Sequence, residues 1–102
     1  MNIPLNSVAD LGLAVRAVRT SAGVRLDDLA AMLGISKQFV TDLEHGKPTV
    51  RLGLVLKVLA ELGAPLCINI PATAQLELVE LERKGGLPPT KARRVRTTQA
   101  PA

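Results

Sequence analysis

The sequence of 102 residues has almost no aromatic side chains. Phe39 is its only aromatic residue, and neither tryptophan nor tyrosine is present. Proteins that bind single-stranded nucleic acid stack the bases on aromatic rings, and quaternary ammonium ligands are bound inside aromatic cages. The composition therefore argues against both kinds of ligand.

Residues that carry metal or redox chemistry are also scarce. The chain has one cysteine, Cys67, and one histidine, His45. It therefore contains no CxxC or HExxH zinc motif and cannot form an intramolecular disulfide. A glycine-rich phosphate-binding loop is missing as well. We expect no enzymatic activity, no metal and no cofactor.

Long hydrophobic runs are missing too. No segment approaches the roughly 20 apolar residues that a membrane-spanning helix needs. The first ten residues, MNIPLNSVAD, lack the basic flank and the apolar core of a secretory signal. The expected location is the cytoplasm, with no membrane partner.

The formal net charge of +4 is concentrated near the C-terminal end. Residues 1–84 carry equal numbers of basic and acidic side chains, whereas residues 85–102 carry four basic ones and no acid. The same tail combines glycine and proline with basic residues and has no apolar periodicity, which predicts disorder over 85–102. Two roles are open for this basic tail, namely contact with a protein partner and contact with DNA phosphates or a minor groove.

Apolar residues recur at helical spacing in four segments that precede residue 64. Ser7 and Ser36 are suitable N-caps for the first and third segments, and a glycine follows each segment, as is typical of helix C-termini. The predicted helices cover about 7–21, 26–33, 37–45 and 51–62.

The segment LCINI between Pro65 and Pro71 has a different pattern. Leu66, Ile68 and Ile70 occupy alternate positions, the period of a half-buried β-strand. A lone strand has unpaired edges, so we expect this strand to pair with its copy in a second subunit.

A possible short helix follows this strand over residues 72–84, which carry apolar residues at helical spacing. The predicted fold is thus an all-α bundle of four to five helices with one short strand that pairs across a dimer. The domain that these first four helices and the dimerisation strand form is expected to cover residues 1–71.

Two short helices joined by a tight turn, in LDDLAAMLGISKQFVTDLEHGK, match the helix-turn-helix arrangement that places its second helix in the major groove of DNA. Gly34 is at the turn, and the small Ala30 lies where the two helices must approach closely. On composition alone, a four-helix bundle without a DNA-binding role remains an alternative.

Over roughly residues 8–63 the chain resembles the Xre or lambda-repressor-like helix-turn-helix proteins, in the stretches LGLAVRAVRTSAG, DDLAAMLGIS, FVTDLEHGK and LVLKVLAELG. Within that family it looks most like the HipB-type antitoxins. The resemblance implies a homodimer that binds double-stranded operator DNA as a repressor and restrains a HipA-like kinase toxin. A free-standing regulator without a toxin and a pure protein-interaction module are the alternatives.

The family's binding mode implies which side chains contact DNA. The N-terminal part of the third helix enters the major groove, where Gln38 can pair with adenine through two hydrogen bonds and Lys37 can donate to guanine. Asp42 can accept from cytosine, exclude other sequences by repulsion, or be a plain surface group. The expected DNA-binding residues are Arg25, Ser36, Lys37, Gln38, Thr41, Asp42, His45 and Lys47.

The resemblance also implies an ion pair and contains one departure. An arginine late in the first helix pairs with a glutamate near the end of the third, which here are Arg19 and Glu44. Such a pair orients the third helix and can also direct Arg19 at a phosphate, and the alternative is a solvated pair that contributes little. Many members begin the second helix with threonine and glutamine, whereas this chain has Arg25 and Leu26.

Overall fold

The computed structural model describes residues 1–86, and this part of the chain folds into five α-helices without a strand. The predicted all-helical fold is confirmed, and the described residues contain five helices where four to five were expected. The described residues divide into two compact units, Met1–Cys67 and the segment from Ile68 onward. The helices are α1 (Val8–Ser21), α2 (Leu26–Leu33), α3 (Lys37–Glu44), α4 (Leu52–Glu61) and α5 (Ala72–Arg83).

The predicted helix ends are confirmed by local hydrogen bonds. The Ser7 hydroxyl accepts a hydrogen bond of 3.1 Å from the backbone N–H of Asp10, and the Ser36 hydroxyl accepts one of 3.0 Å from Phe39. Such caps satisfy backbone donors that a helix leaves unpaired in its first turn. Gly34 ends α2 with a φ of +66°, a left-handed conformation that glycine adopts without strain.

The core of the first unit is aliphatic and receives side chains from each of its four helices. Burial of each such side chain stabilises the fold by roughly 1.5–3 kcal/mol. Phe39 is half-buried and packs against this cluster. The buried hydrophobic residues are Val15, Leu29, Ala30, Val40, Leu43, Val55, Val58 and Leu59.

Helix α1 approaches the C-terminal end of α3 so closely that two glycines are required. A Cβ atom on Gly12 would collide with the carbonyl oxygen of Leu43 and lie 2.8 Å from that of Glu44. On the other side of the contact, a Cβ on Gly46 would lie 2.7 Å from the Cα of Ala9. The end of α3 therefore packs directly on the backbone of α1.

The predicted strand at Leu66–Ile70 is not present in the described residues, where this segment has no regular secondary structure. The reason is physical, since a strand needs hydrogen-bonding partners on a neighbouring strand and the described residues are those of a single chain. Leu66, Ile68 and Ile70 are exposed in it.

The second unit contains α5, which covers nearly the same residues as the possible helix at 72–84. None of its residues is buried. Gly85 and Gly86 follow in a turn and a bend. The remainder of the predicted disordered tail, residues 87–102, lies outside the described residues.

Substitution of Gly12 tests the close packing of α1 on α3. We expect Gly12→Ala to lower the free energy of unfolding by about 2 kcal/mol, because the added methyl group meets backbone oxygens that cannot move aside. Chemical denaturation followed by circular dichroism measures this change. The matched control is Gly53→Ala in α4, where nothing lies within 4 Å of the added Cβ. It should leave stability unchanged or raise it by up to about 1 kcal/mol, and equal effects of the two substitutions would contradict the packing account.

Candidate nucleic-acid interface

Helix α3 has one face in the core and the opposite face directed away from it. Val40, Leu43 and Glu44 are buried. At 3.6 residues per turn Gln38 and Asp42 lie opposite the buried residues, the half-buried Thr41 lies beside them, and Lys37 is exposed in the first turn, so that these four expected DNA-binding residues form one surface. We call this the outer face of α3, and its residues are Lys37, Gln38, Thr41 and Asp42.

Arg19 and Glu44 form the ion pair that the family resemblance implies. The Arg19 Nε atom donates to Glu44 Oε2 at 2.6 Å and Nη2 donates to Oε1 at 2.9 Å. A third guanidinium nitrogen, Nη1, donates to the carbonyl oxygen of Val24 at 3.0 Å. The arginine therefore links α1, the end of α3 and the segment that precedes α2.

The burial of this pair favours a structural role. The side chains of Arg19 and Glu44 are only 11% and 5% exposed. The hydrogen bonds to Glu44 raise the pKa of Arg19 above its ordinary value, as expected for a guanidinium that donates to a carboxylate. With three nitrogens engaged and little exposed surface, Arg19 is poorly placed for a phosphate.

Three side chains of the interface are engaged with acids of the same chain. Lys37 Nζ lies 2.9 Å from Asp27 Oδ1, and Lys47 Nζ lies 3.5 Å from Asp42 Oδ2. Gln38 Nε2 donates to Asp42 Oδ1 at 2.8 Å. The contact of Asp27 with Lys37 was not predicted from the sequence, because the two residues belong to different helices and helical spacing gives no signal for such a contact.

The remaining expected residues lie at helix ends. The Ser36 hydroxyl caps α3, while Arg25 occupies the N-cap position of α2 without a capping side-chain bond. His45 follows α3 and is exposed, and its Nδ1 lies 2.7 Å from the carbonyl oxygen of Thr41. Because a carbonyl only accepts, this contact requires the proton on Nδ1 and leaves Nε2 as an acceptor unless the ring is charged.

The described residues contain no cluster of histidine, cysteine, aspartate and glutamate that could hold a metal ion. Within the same part of the chain, no helix has the length and apolarity to cross a membrane.

Removal of Glu44 tests the structural role of the buried pair. We expect Glu44→Ala to lower the free energy of unfolding by about 3 kcal/mol, because it leaves the charge of Arg19 buried without a partner. Urea denaturation at neutral pH measures the loss. Glu61→Ala, which removes an exposed acid from α4, is the control and should change stability little; a similarly small effect at Glu44 would show that the pair is dispensable.

The contacts of Asp42 predict its titration. The hydrogen bond from Gln38, assisted by Lys47, lowers the pKa of Asp42 below the ordinary aspartate value. A depressed pKa in the folded state means that this contact stabilises the protein at neutral pH and that the contribution is lost as the pH falls through that pKa. In a carboxyl NMR titration, Gln38→Ala should raise the pKa of Asp42, and an unchanged midpoint would contradict the hydrogen bond.

Comparison with known proteins agrees with this geometry. The helix-turn-helix family HTH_3 matches residues 15–68. An uncharacterized HTH-type transcriptional regulator of Sinorhizobium fredii, y4mF, is 43% identical over 67 residues, which cover 66% of this chain and 88% of that protein.

Two solved structures have the same fold. A HipB–O4 20mer complex has a TM-score of 0.63 at 22% identity and covers 68% of this chain and 97% of that one. A HipB variant in complex with an O2 20mer has a TM-score of 0.64 at 21% identity, with 69% and 97% of the two chains covered. The matched family and the similar regulator show that this chain belongs to the Xre-like HTH_3 family of helix-turn-helix transcriptional regulators.

Proposed function

We propose that the protein is a transcriptional repressor that binds operator DNA sequence-specifically, as a homodimer, through the outer face of α3. The observation that carries the proposal is the placement of that face. It presents polar side chains away from the core, while the buried Arg19–Glu44 pair and the contact at Gly12 fix the helix that bears them. An α-helix of this kind fits the major groove of B-DNA.

The chemistry of the outer face supports recognition of base edges. Gln38 offers an amide that can pair with adenine, Lys37 offers donors for guanine, and Thr41 can bond to a base or a phosphate. Near the ends of α2 and α3, the side chains of Arg25, His45 and Lys47 are exposed, and in this proposal they contact the DNA backbone. Ser36 keeps its hydroxyl proton for a phosphate, because its oxygen acts as the acceptor in the α3 cap.

The charge balance supports binding as a dimer. Residues 1–67 carry seven basic and six acidic side chains, so the long-range attraction of this unit to the phosphates is weak and one such unit on a single half-site contributes low affinity. Two subunits related by a two-fold axis bind two half-sites at once. The exposed Leu66, Ile68 and Ile70 are the proposed dimer contact, with the two LCINI segments paired as strands.

Substitution of Gln38 tests recognition by the outer face of α3. On an operator selected from the DNA upstream of the gene, Gln38→Ala should reduce discrimination by about 1–3 kcal/mol at one base position in each half-site, because one bidentate contact is lost. Binding to a set of single-base operator variants, measured by fluorescence anisotropy, reveals the position. Arg25→Ala is the control, and it should weaken binding to all variants alike and lower the salt dependence. A uniform loss for Gln38→Ala would assign this residue to the backbone.

Substitution of the LCINI side chains tests the dimer. Replacement of Leu66, Ile68 and Ile70 by asparagine should give a monomer with weakened operator binding, because the strand pair loses its apolar contacts. Sedimentation equilibrium gives the mass. Leu76→Asn, at an exposed apolar position of α5, is the control and should keep the dimer mass. A dimer in the triple variant would remove the strand pairing from the proposal.

A second role as an antitoxin is favoured by α5. The operator contacts proposed above come from the first unit, whereas the apolar side chains Leu76, Leu78 and Val79 of α5 are exposed, as expected of a surface for a protein partner. In this proposal the partner is a HipA-like kinase toxin encoded beside the gene. Co-expression of this protein should rescue cells from the growth arrest that the toxin encoded by the neighbouring gene causes. The double substitution Leu76→Asn and Val79→Asn should abolish this rescue but leave operator binding unchanged. Failure of the unaltered chain to rescue would favour a free-standing regulator.

A further inference from the structure

An acidic residue lies within the surface that we propose to contact DNA. Asp42 belongs to the outer face of α3, where a free carboxylate would be repelled by the phosphates of an operator. It is not free, because both of its oxygens are engaged. Oδ1 accepts from Gln38 Nε2 at 2.8 Å, and Oδ2 lies 3.5 Å from Lys47 Nζ.

These contacts determine the orientation of the Gln38 amide. An ionised carboxylate only accepts hydrogen bonds, so the amide nitrogen of Gln38 must face Asp42 and the amide oxygen must point elsewhere. The Asp42 carboxylate is ionised at neutral pH, since the ordinary pKa of an aspartate is already acidic and the contacts with Gln38 and Lys47 lower it further. Gln38 retains its oxygen and its second N–H, the acceptor and donor that the N6 amino group and N7 of adenine require.

We infer that Asp42 is a positioning residue, which holds the Gln38 amide in the orientation that pairs with adenine and thereby sets base specificity at that position. The inference rests on the proposed function, since it requires that α3 contact base edges. Lys47 offsets the charge of Asp42, so the carboxylate can lie near DNA. This contact acts through Gln38 and requires no bond between Asp42 and a base.

Without Asp42 the amide loses this restraint. The terminal torsion of glutamine is broad and roughly two-fold, so the oxygen and nitrogen can exchange places. An amide that is free to turn can present its NH2 group to N7 and O6 of guanine, which are both acceptors. Removal of Asp42 also deletes a negative charge, which raises the affinity for every DNA sequence. Specificity and non-specific affinity therefore change in opposite directions, which a loss of folding would not produce.

The test compares operators that differ in one base pair. The pair chosen is the one at which Gln38→Ala loses discrimination, with its A·T replaced by G·C. Affinities for both operators are measured with the full-length dimer and with the variants Asp42→Ala, Asp42→Asn, Gln38→Ala and Asp42→Ala/Gln38→Ala. Glu61→Ala is the control for charge, because it removes an exposed acid from α4. Circular dichroism checks that each variant is folded.

We expect Asp42→Ala to reduce the preference for A·T about 5-fold, the worth of one hydrogen bond, and to raise the affinity for unrelated DNA. Asp42→Asn keeps an acceptor oxygen and should retain most of the preference. The double variant should show the same preference between A·T and G·C as Gln38→Ala alone, because Asp42 acts only through Gln38. Glu61→Ala should leave the preference for A·T unchanged.

Full discrimination by Asp42→Ala would overturn the inference and leave the proposed function intact. Absence of specific binding by the unaltered protein would overturn both. Specific binding without any base pair that depends on Gln38 would overturn the inference alone and assign Gln38 to the backbone. NMR of the free protein supplies a test without DNA. The chemical shift of the Gln38 side-chain amide should change as Asp42 titrates, and this change should be absent in Asp42→Ala. An amide chemical shift that stays constant through the titration of Asp42 in the unaltered protein would also overturn the inference.

Discussion

The contact between α1 and the C-terminal end of α3 is the constraint on which the rest of the structure depends. Gly12 allows the backbones of the two helices to meet, and Gly46 allows the chain to turn away beside Ala9. The buried pair of Arg19 and Glu44 lies at the same end of α3. Loss of one partner of a buried ion pair strongly destabilises the folded protein. Packing and electrostatics therefore act together to hold α3 in one position. A helix held in this way can present its outer face without distortion.

The side chains on that outer face are also constrained. Lys37 and Gln38 each contact an acid of the same chain, Asp27 and Asp42. The two kinds of contact have different consequences for DNA binding. The exposed pair of Lys37 and Asp27 must open for Lys37 to contact a base, and such surface pairs contribute little free energy. The bond between Gln38 and Asp42 leaves free the two atoms of Gln38 that adenine requires.

The sequence predicted features that arise from local patterns. Ser7 and Ser36 predicted the first residues of two helices, because an N-cap side chain accepts a hydrogen bond from a backbone N–H only three residues away. The close approach of α3 to Gly12 was not predicted, since a glycine within a helical segment does not indicate which part of the backbone packs against it. The bond from Gln38 to Asp42 also escaped prediction: their spacing permits contact, but it does not determine the rotamers. The LCINI segment has the alternation of a strand, but alternation does not supply a partner strand, and the segment has no regular secondary structure in the described residues.

The most direct test of the account is a titration of the protein on the DNA upstream of its own gene, at two salt concentrations and with scrambled competitor DNA. The account predicts specific binding of two subunits to an inverted repeat that persists in excess competitor. Equal binding to the upstream DNA and to the scrambled competitor would contradict the claim that the outer face of α3 recognises an operator.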